Sequence, residues 1–347
     1  MLKKIISLLF LPFLFCSCSS KPHYETITFS SWGSITETKI LKDLISDFEK
    51  NNPEIKINFM HIPQNYFQKI HLLFASSKEP DVIFINNLYL PVYASKLEDV
   101  SHLISRDEYF VQSLEAMTVD GKLLAIPRDI SNLVFYKNKN LIDSSPKNLE
   151  EFLLTLRNFK HSKAFATSYE PNIFYSMPYI MTIDGEISEN GIPNQNAIKG
   201  IEFYKSLQEK YAPAPYQSGS LTQAQMFLDG KIGLYLSGRW MYPKISDSAK
   251  FPWEVIKFPG VTPLDASGWA ISKNTKHKDS AEKFILFLSS QQGSEYFTKT
   301  GLIVPARKEN ANLIESVFIE AIKYSKPTKV NKNYNKITDK LNKIFFN

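Results

Sequence analysis

The side chains able to do chemistry are unevenly distributed along this chain. Both cysteines, Cys16 and Cys18, fall within the first eighteen positions, so the rest of the chain has no thiol. The six histidines are scattered without an HxxxH pair, which gives a zinc site little support. No GxGxxG follows a strand-like run, and neither GxxxxGK[ST] nor GxSxG occurs. Carboxylates are plentiful, yet none forms a recognisable acid/base pair. An enzyme would have to assemble its nucleophile or acid/base pair in space, so the pattern favours binding without a cofactor over catalysis. What stands out is aromatic, amide and guanidinium side chains just past predicted strands. These are Trp32, Asn86 with Asn87, and Arg239 with Trp240. Rings pack on apolar faces, and amides and guanidinium groups bond hydroxyls or anions. This is the chemistry of non-covalent recognition.

The N-terminus explains the cysteines. Lys3 and Lys4 precede an apolar run, Ile5 to Phe15, which is too short to span a bilayer as a helix and is interrupted by Pro12. Phe15-Cys16-Ser17-Cys18 resembles the bacterial lipobox. Cys18, preceded by small Ser17, is the expected lipid-attachment residue, and Cys16 leaves with the signal peptide. Ordinary secretion with cleavage near Ser19 or Ser20 is the alternative. Without thiols, the remaining domain forms neither a disulfide nor a thiolate metal site and must rely on its apolar core. The formal net charge of +6 is spread over scattered lysines, with some clustering after Lys323. No basic run is interleaved with aromatics, so nucleic acid is not an expected partner.

The elements that must position the candidates follow from periodicity. Thr26 to Ser31 reads as a strand, and Ser34 with Glu37 has capping-box spacing. Ile40, Leu41, Leu44, Ile45 and Phe48 then lie on one helical face. Ile55 to Met60 is a second strand, Tyr66 to Ser76 a helix, and Val82 to Ile85 a short buried strand. This alternation predicts an α/β domain with a mostly parallel sheet. Strands at Leu123 to Ile126 and Leu133 to Tyr136 flank a connection, Pro127 to Asn132. Further helices are predicted near 148–159, 195–211, 222–228 and 279–290, with strands at 164–167, 232–236, 255–258 and 266–272.

Six segments in order resemble one family. TITFSSW with LISDFEKNNPEIKINF, SSKEPDVIFINN, VDGKLLAIPRDISNLVFYKNKNLI, FLDGKIGLYLSGRW, ASGWAISKNTKHKDSAEKFILFLSSQQGSEYF and GLIVPAR are similar to the extracellular solute-binding lipoproteins of ATP-driven (ABC) importers, of the sugar and glycerol-phosphate group. Lys137 stands where that family has Asn in Tyr-Asn-Lys. The resemblance runs from about Thr26 to Arg307. It implies a two-lobed periplasmic-binding-protein-like fold of type II, with a ligand cleft between α/β lobes joined by multiple crossovers. The implied division is 1–17 signal peptide, 18–23 tether, 24–128 plus 264–307 for lobe 1, and 129–263 plus 308–347 for lobe 2.

In such a fold the cleft lies at the C-terminal ends of strands. Trp240 matches the family's stacking tryptophan. Arg239 would bond hydroxyls or phosphate, or form a surface ion pair. Trp32 would floor the cleft or pack within a lobe, and Asn86 and Asn87 would bond hydroxyls or form a turn. Asp129, on the first crossover, would bind ligand or hold the hinge. Tyr175 lies in a stretch resembling one that lays aromatics against sugar. Ser267, Gly268 and Trp269 mark the second crossover, with Trp269 on the ligand or bracing the hinge. Tyr66 opens a helix facing the cleft, and Trp253 is assigned to structure. Arg128 and Arg239 leave open an anionic solute, such as glycerol 3-phosphate or a glycerophosphodiester.

The resemblance therefore implies a monomeric, non-enzymatic binder of a sugar, polyol or glycerol phosphate. It would be lipid-anchored outside the cytoplasm, in the periplasm or at the cell surface, and would serve ABC permease subunits with a cytoplasmic ATPase. The alternative is a surface lipoprotein or sensor on the same fold that has lost transport. Cys18→Ser is expected to release the protein from membranes, and fractionation checks this. Retention in the membrane fraction would remove the anchor assignment.

Overall fold

The computed structural model describes residues 24–214 and 221–346. The first half opens with β1 (Glu25–Ser31), α1 (Ile35–Asn51), β2 (Ile55–His61), α2 (Tyr66–Ala75) and β3 (Val82–Asn86). Next come α3 (Leu90–Tyr93), α4 (Val111–Ala116), the short hairpin β4 (Thr118–Val119) and β5 (Lys122–Leu123), then β6 (Ile126–Asn132) and β7 (Val134–Asn138). The chain continues through α5 (Leu149–Asn158), β8 (Phe165–Thr167), α6 (Ile173–Thr182), α7 (Gln195–Lys210), α8 (Gln223–Leu228), β9 (Ile232–Ser237), α9 (Tyr242–Ser248) and β10 (Trp253–Lys257). It closes with β11 (Thr262–Ile271), α10 (Lys278–Leu288), α11 (Gln291–Thr298), β12 (Val304–Pro305), α12 (Ser316–Ile322), β13 (Ser325–Pro327) and α13 (Tyr334–Phe345).

Two main sheets organise these elements. The larger runs β12-β6-β11-β3-β1-β2, with β13 also pairing β11, and the smaller runs β10-β7-β9-β8. β1 is parallel to β2 and β3, while β11 returns antiparallel to both β3 and β6. Two crossings join the sheets. One is Leu133, the single residue between β6 and β7. The other is the segment 258–261 between β10 and β11. The chain is thus two-lobed, each lobe built on its own sheet.

Local chemistry accounts for the predicted elements. Glu37 N–H donates to Ser34 Oγ at 3.2 Å, and Ser34 N–H donates to Glu37 Oε2 at 3.0 Å, closing the capping box that starts α1. Leu41, Leu44, Ile45 and Phe48 are the buried face of that helix. In the large lobe, Phe29, Phe84 and Phe297 surround Trp269 at 5.5, 5.6 and 6.0 Å between ring centres. A second core gathers Phe135, Phe152, Tyr179, Tyr204 and Phe258 in the small lobe. A third joins Leu341 of α13 to Ile173 and Ile180 of α6 and Ile201 of α7.

One predicted connection is a strand. Pro127 to Asn132, expected to separate two strands, belongs to β6 and is paired on both sides, by β11 and β12. Its charges made it read as a loop. They are tolerated because they satisfy one another: Arg128 Nε donates to Asp129 Oδ2 at 2.5 Å, and both side chains are buried. β6 and β11 slip register at Ser267/Gly268, where the strands approach closely. A Cβ added at Gly268 would lie 2.1 Å from the Ile126 carbonyl oxygen, so the strand requires glycine there. Gly268→Ala is expected to cost roughly 1–3 kcal/mol or more through backbone displacement, read as a lowered urea midpoint. An unchanged midpoint would mean the strands are free to separate.

Candidate functional site

Trp32 and Trp240 retain exposed rings at strand ends, at 39% and 37% exposure. Trp32 follows β1, and its indole lies 5.7 Å from both Phe67 and Phe84 and 6.2 Å from Tyr66. Phe67 in turn stacks on Tyr89 at 3.7 Å. The result is an aromatic platform at the ends of β1 and β3. Trp240 follows β9, and its ring lies over Gly238. A Cβ at Gly238 would come within 1.9 Å of the indole, so glycine makes the ring position possible. Tyr136 OH donates to the Gly238 carbonyl at 2.9 Å and ties this turn to β7.

A polar cluster forms nearby on the small sheet. Glu170 follows β8. Tyr204 OH accepts from its N–H at 2.9 Å and donates to its carbonyl at 2.8 Å, so the backbone is held while the side chain is left available. The Glu170 carboxylate has no hydrogen-bond partner among the described residues, and burial raises its pKa above the ordinary 4.5. Tyr175, on α6, and Tyr235, on β9, lie close to it and to Ser237. Burial pushes the Tyr235 hydroxyl up to about 12 and that of Tyr175 upward as well, so both phenols are neutral donors. The Ser237 hydroxyl is buried without a well-aligned partner among the described residues. A buried hydroxyl held only by poorly aligned phenols and a desolvated carboxylate cost free energy unless another molecule supplies better partners. α6 is fixed in place by Asn172, whose side chain accepts from Tyr175 N–H at 3.0 Å, and by Asn342 of α13, which accepts from Ile173 N–H at 2.7 Å.

Other nominated residues are turned inward. Tyr66 is buried, and its hydroxyl donates to the Phe84 carbonyl at 2.8 Å, so it supports Trp32 rather than facing the cleft. Asn87 is fully buried. Its Nδ2 donates to Asp265 Oδ1 and its Oδ1 accepts from Ala266 N–H, both at 3.1 Å. Asn86 is half-buried, and its Oδ1 accepts from Tyr89 N–H at 3.3 Å, a turn contact. Asp129 is buried with Arg128 and beside Ser267. Burial raises its pKa against the opposing pull of the guanidinium. Gly268 serves strand packing. Trp269 is wholly buried and braces the core beneath the crossing.

The two arginines are also committed to the protein. Arg239 is buried, ion-paired with Glu315, and lies 4.8 and 4.7 Å from the ring centres of Tyr242 and Phe318. Arg128 is covered by Phe84, Phe297 and Trp269 and also reaches Glu37 at 3.6 Å. Trp253 packs among Tyr136 and Tyr242. Cys18 lies outside the described residues. Glu170, Tyr235, Ser237 and Tyr89 were not singled out from sequence. The only cue for Glu170 was an acid at the end of a short predicted strand, followed by Pro171. Among the described residues no helix is long and apolar enough to cross a membrane, and no cluster of His, Cys, Asp or Glu has the form of a metal site.

Comparison with known proteins agrees with this architecture. Maltodextrin-binding protein MdxE of Bacillus subtilis is 25% identical over 255 residues, covering 62% of this chain and 60% of that protein. A maltooligosaccharide ABC transporter solute-binding lipoprotein of Streptococcus pneumoniae is 26% identical over 223 residues, covering 56% of this chain and 52% of that protein. The chain thus aligns with less than two thirds of the length of either. The sugar-binding protein MalE of Xanthomonas citri shares the fold, with a TM-score of 0.82 at 22% identity over 92% of this chain and 91% of that one. The model of the bacterial extracellular solute-binding protein family matches residues 43–323. The chain belongs to the family of bacterial extracellular solute-binding proteins.

Proposed function

We propose that this protein captures a neutral oligosaccharide between its lobes and delivers it to the permease of an ATP-driven importer. The observation that carries this reading is the pairing of exposed indoles with a free acid-and-hydroxyl cluster, while Arg128 and Arg239 are both spent internally. Trp240 and Trp32 offer faces to the C–H surfaces of sugar rings. Glu170, Tyr175 and Ser237 offer an acceptor and donors to hydroxyls. A phosphate would meet the Glu170 carboxylate and no uncommitted guanidinium among these residues, which disfavours glycerol phosphates. The relatives named for maltodextrin and maltooligosaccharide point the same way. Asn86 remains a secondary candidate.

The lobes are proposed to divide at Leu133 and at 258–261 and to close on the solute by a hinge motion. The chain is proposed to be tethered outside the cytoplasm through Cys18, in keeping with the pneumococcal relative's name as a lipoprotein.

Thermal-shift and calorimetric titration of the chain from Ser19 onward test the reading, using maltooligosaccharides, galactooligosaccharides and glycerol 3-phosphate. A ligand at about 100 times its Kd raises stability by roughly 2.7 kcal/mol. A response to glycerol 3-phosphate and to no sugar would overturn the proposal. Trp240→Ala is expected to weaken oligosaccharide binding by about 1–3 kcal/mol, the scale of a lost aromatic contact; unchanged affinity would remove it from the site. Glu170→Gln is expected to lose about 1.5–3 kcal/mol, as for a hydrogen bond to a charged group. The raised pKa adds a signature. Wild-type affinity is fully present above that pKa and falls as pH drops through it, at a higher pH than for a glutamate of ordinary pKa 4.5. The Gln variant should lack this step, and a step that persists would assign the titration to another group.

A further inference from the structure

The C-terminal helix leaves a second space, and none of Trp32, Glu170, Tyr175 and Trp240 lines it. It lies between α6, the 184–189 loop, the 326–331 segment and α13, with a volume of about 530 Å³. We infer that this cavity is a separate ligand site for a neutral molecule with an aliphatic body.

Ile173, Met177 and Met181 recur every fourth residue along α6 and form one wall, and Ile337 and Leu341 of α13 form another. Tyr175 lies two positions from both Ile173 and Met177, so it projects from a different side of the helix. The back of the space is firm, because Ile173 and Leu341 belong to the buried cluster with Ile180, Ala197 and Ile201. The volume falls within the roughly 300–1,000 Å³ of small-molecule sites, which are mostly apolar with a few placed polar groups. Methionine side chains adapt to ligands of varied shape. A ring of sugar hydroxyls would find few partners on such walls and would lose hydration without compensation.

The polar groups of the lining select against charge. Thr328, Tyr334 and Thr338 contribute hydroxyls, and the Tyr334 phenol is kept neutral by burial. The charged lining residues, Asp184, Glu186, Glu189, Lys326 and Lys329, are exposed. Lys329 Nζ meets Glu186 Oε1 at 3.0 Å, and Asn331 Nδ2 donates to the Glu189 carbonyl at 2.8 Å. These two contacts join the 184–189 loop to the 326–331 segment. Three carboxylates against two ammonium groups leave a net charge of −1, which repels an anionic head, and their exposure to water leaves little attraction for a cationic one. An alkyl chain ending in a hydroxyl matches both the walls and the polar groups.

The test is a titration of 1-decanol into the chain from Ser19 onward, which keeps every described residue, with methionine methyl groups labelled with carbon-13. The Met177 and Met181 methyl signals are expected to shift saturably while those of Met60 and Met117 hold still. Met181→Trp fills the space from one wall and Thr338→Trp from the other; each is expected to weaken decanol binding at least tenfold in folded protein. Decanoate should bind at least tenfold more weakly than decanol. Absent shifts, equal shifts at all methionines, or full affinity in both filling variants would overturn the site, and equal affinity for decanoate would overturn its neutrality. Maltotriose should leave decanol affinity unchanged, and competition would make the cavity part of the saccharide site and overturn its independence. Should maltotriose not bind at all, the methionine shifts still decide this inference, and only the oligosaccharide proposal is lost.

Discussion

The buried guanidinium of Arg128 is the interaction on which the arrangement of the molecule depends. It sits on β6, the strand that carries the chain to its first crossing, with its cationic carbon 4.7 Å from Phe84, 4.8 Å from Phe297 and 5.5 Å from Trp269. Those three rings belong to β3, the segment following α10, and β11. Asp129 and Glu37 supply the opposite charge. Removing one partner from such a buried pair typically costs about 3–5 kcal/mol, because the other charge is left uncompensated. The same contact that fixes β6 against β11 therefore also locks α1 and α11 to the crossing. Glu37 is shared between Arg128 and the capping box of Ser34, which places the Trp32 turn under the same constraint.

This use of charge shapes the recognition surface. Arg128 and Arg239 look, in sequence, like ligands for an anion. In space each is enclosed by aromatic rings and neutralised by a carboxylate, so neither contributes an open positive field. Glu170 has the reverse history. Its backbone is held by Tyr204, but its carboxylate has no partner among the described residues. The balance between arginines that are paired and a glutamate that is not is what the proposed recognition of hydroxyls at the strand ends of the small lobe rests on.

Much of the framework was legible because it is local. The Ser34–Glu37 cap, the apolar face of α1, and the alternation of β1 to β3 with helices follow from spacing alone, and the structure reproduces them within a residue or two. β6 was not legible, because its polar residues are buried only through partners on distant strands. Tyr66 and Asn87 sit at the helix and strand ends where binding residues were sought, and Trp269 lies within β11 at the second crossover. Their inward orientation depends on close packing between β3, β6 and β11 and the neighbouring aromatics. Trp32 and Trp240 lie just past predicted strands and Trp269 inside one, yet all three were ligand candidates, and exposure separates them. Glu170 was passed over because it forms no motif, and Ser237, inside FLDGKIGLYLSGRW, because Arg239 and Trp240 were the residues taken from that segment; their meaning comes from missing partners, which only a three-dimensional inventory reveals.

The crossings set how the proposed surface would respond to a ligand. Only Leu133 separates β6 from β7, and Leu133 is itself buried, so the first crossing has little length in which to bend. The second crossing is held to α6: Val261 N–H donates to Thr182 Oγ1 at 2.9 Å, and a Cβ at Gly260 would fall 2.2 Å from that same hydroxyl oxygen. A third passage, 328–333, carries the chain from β13 on the large sheet to α13 against α6, so a rotation between the sheets would be shared among three segments. The second of them is bonded to the C-terminal end of the helix whose first turn carries Tyr175. On the proposed reading, a solute held by Tyr175 would pull on that crossing through α6. Conversely, a change in the angle between the sheets would reposition Tyr175 relative to Trp32 on the opposite lobe. On that reading α6 would couple binding to closure, because its first turn carries Tyr175 and its last residue, Thr182, accepts from Val261 N–H of the crossing.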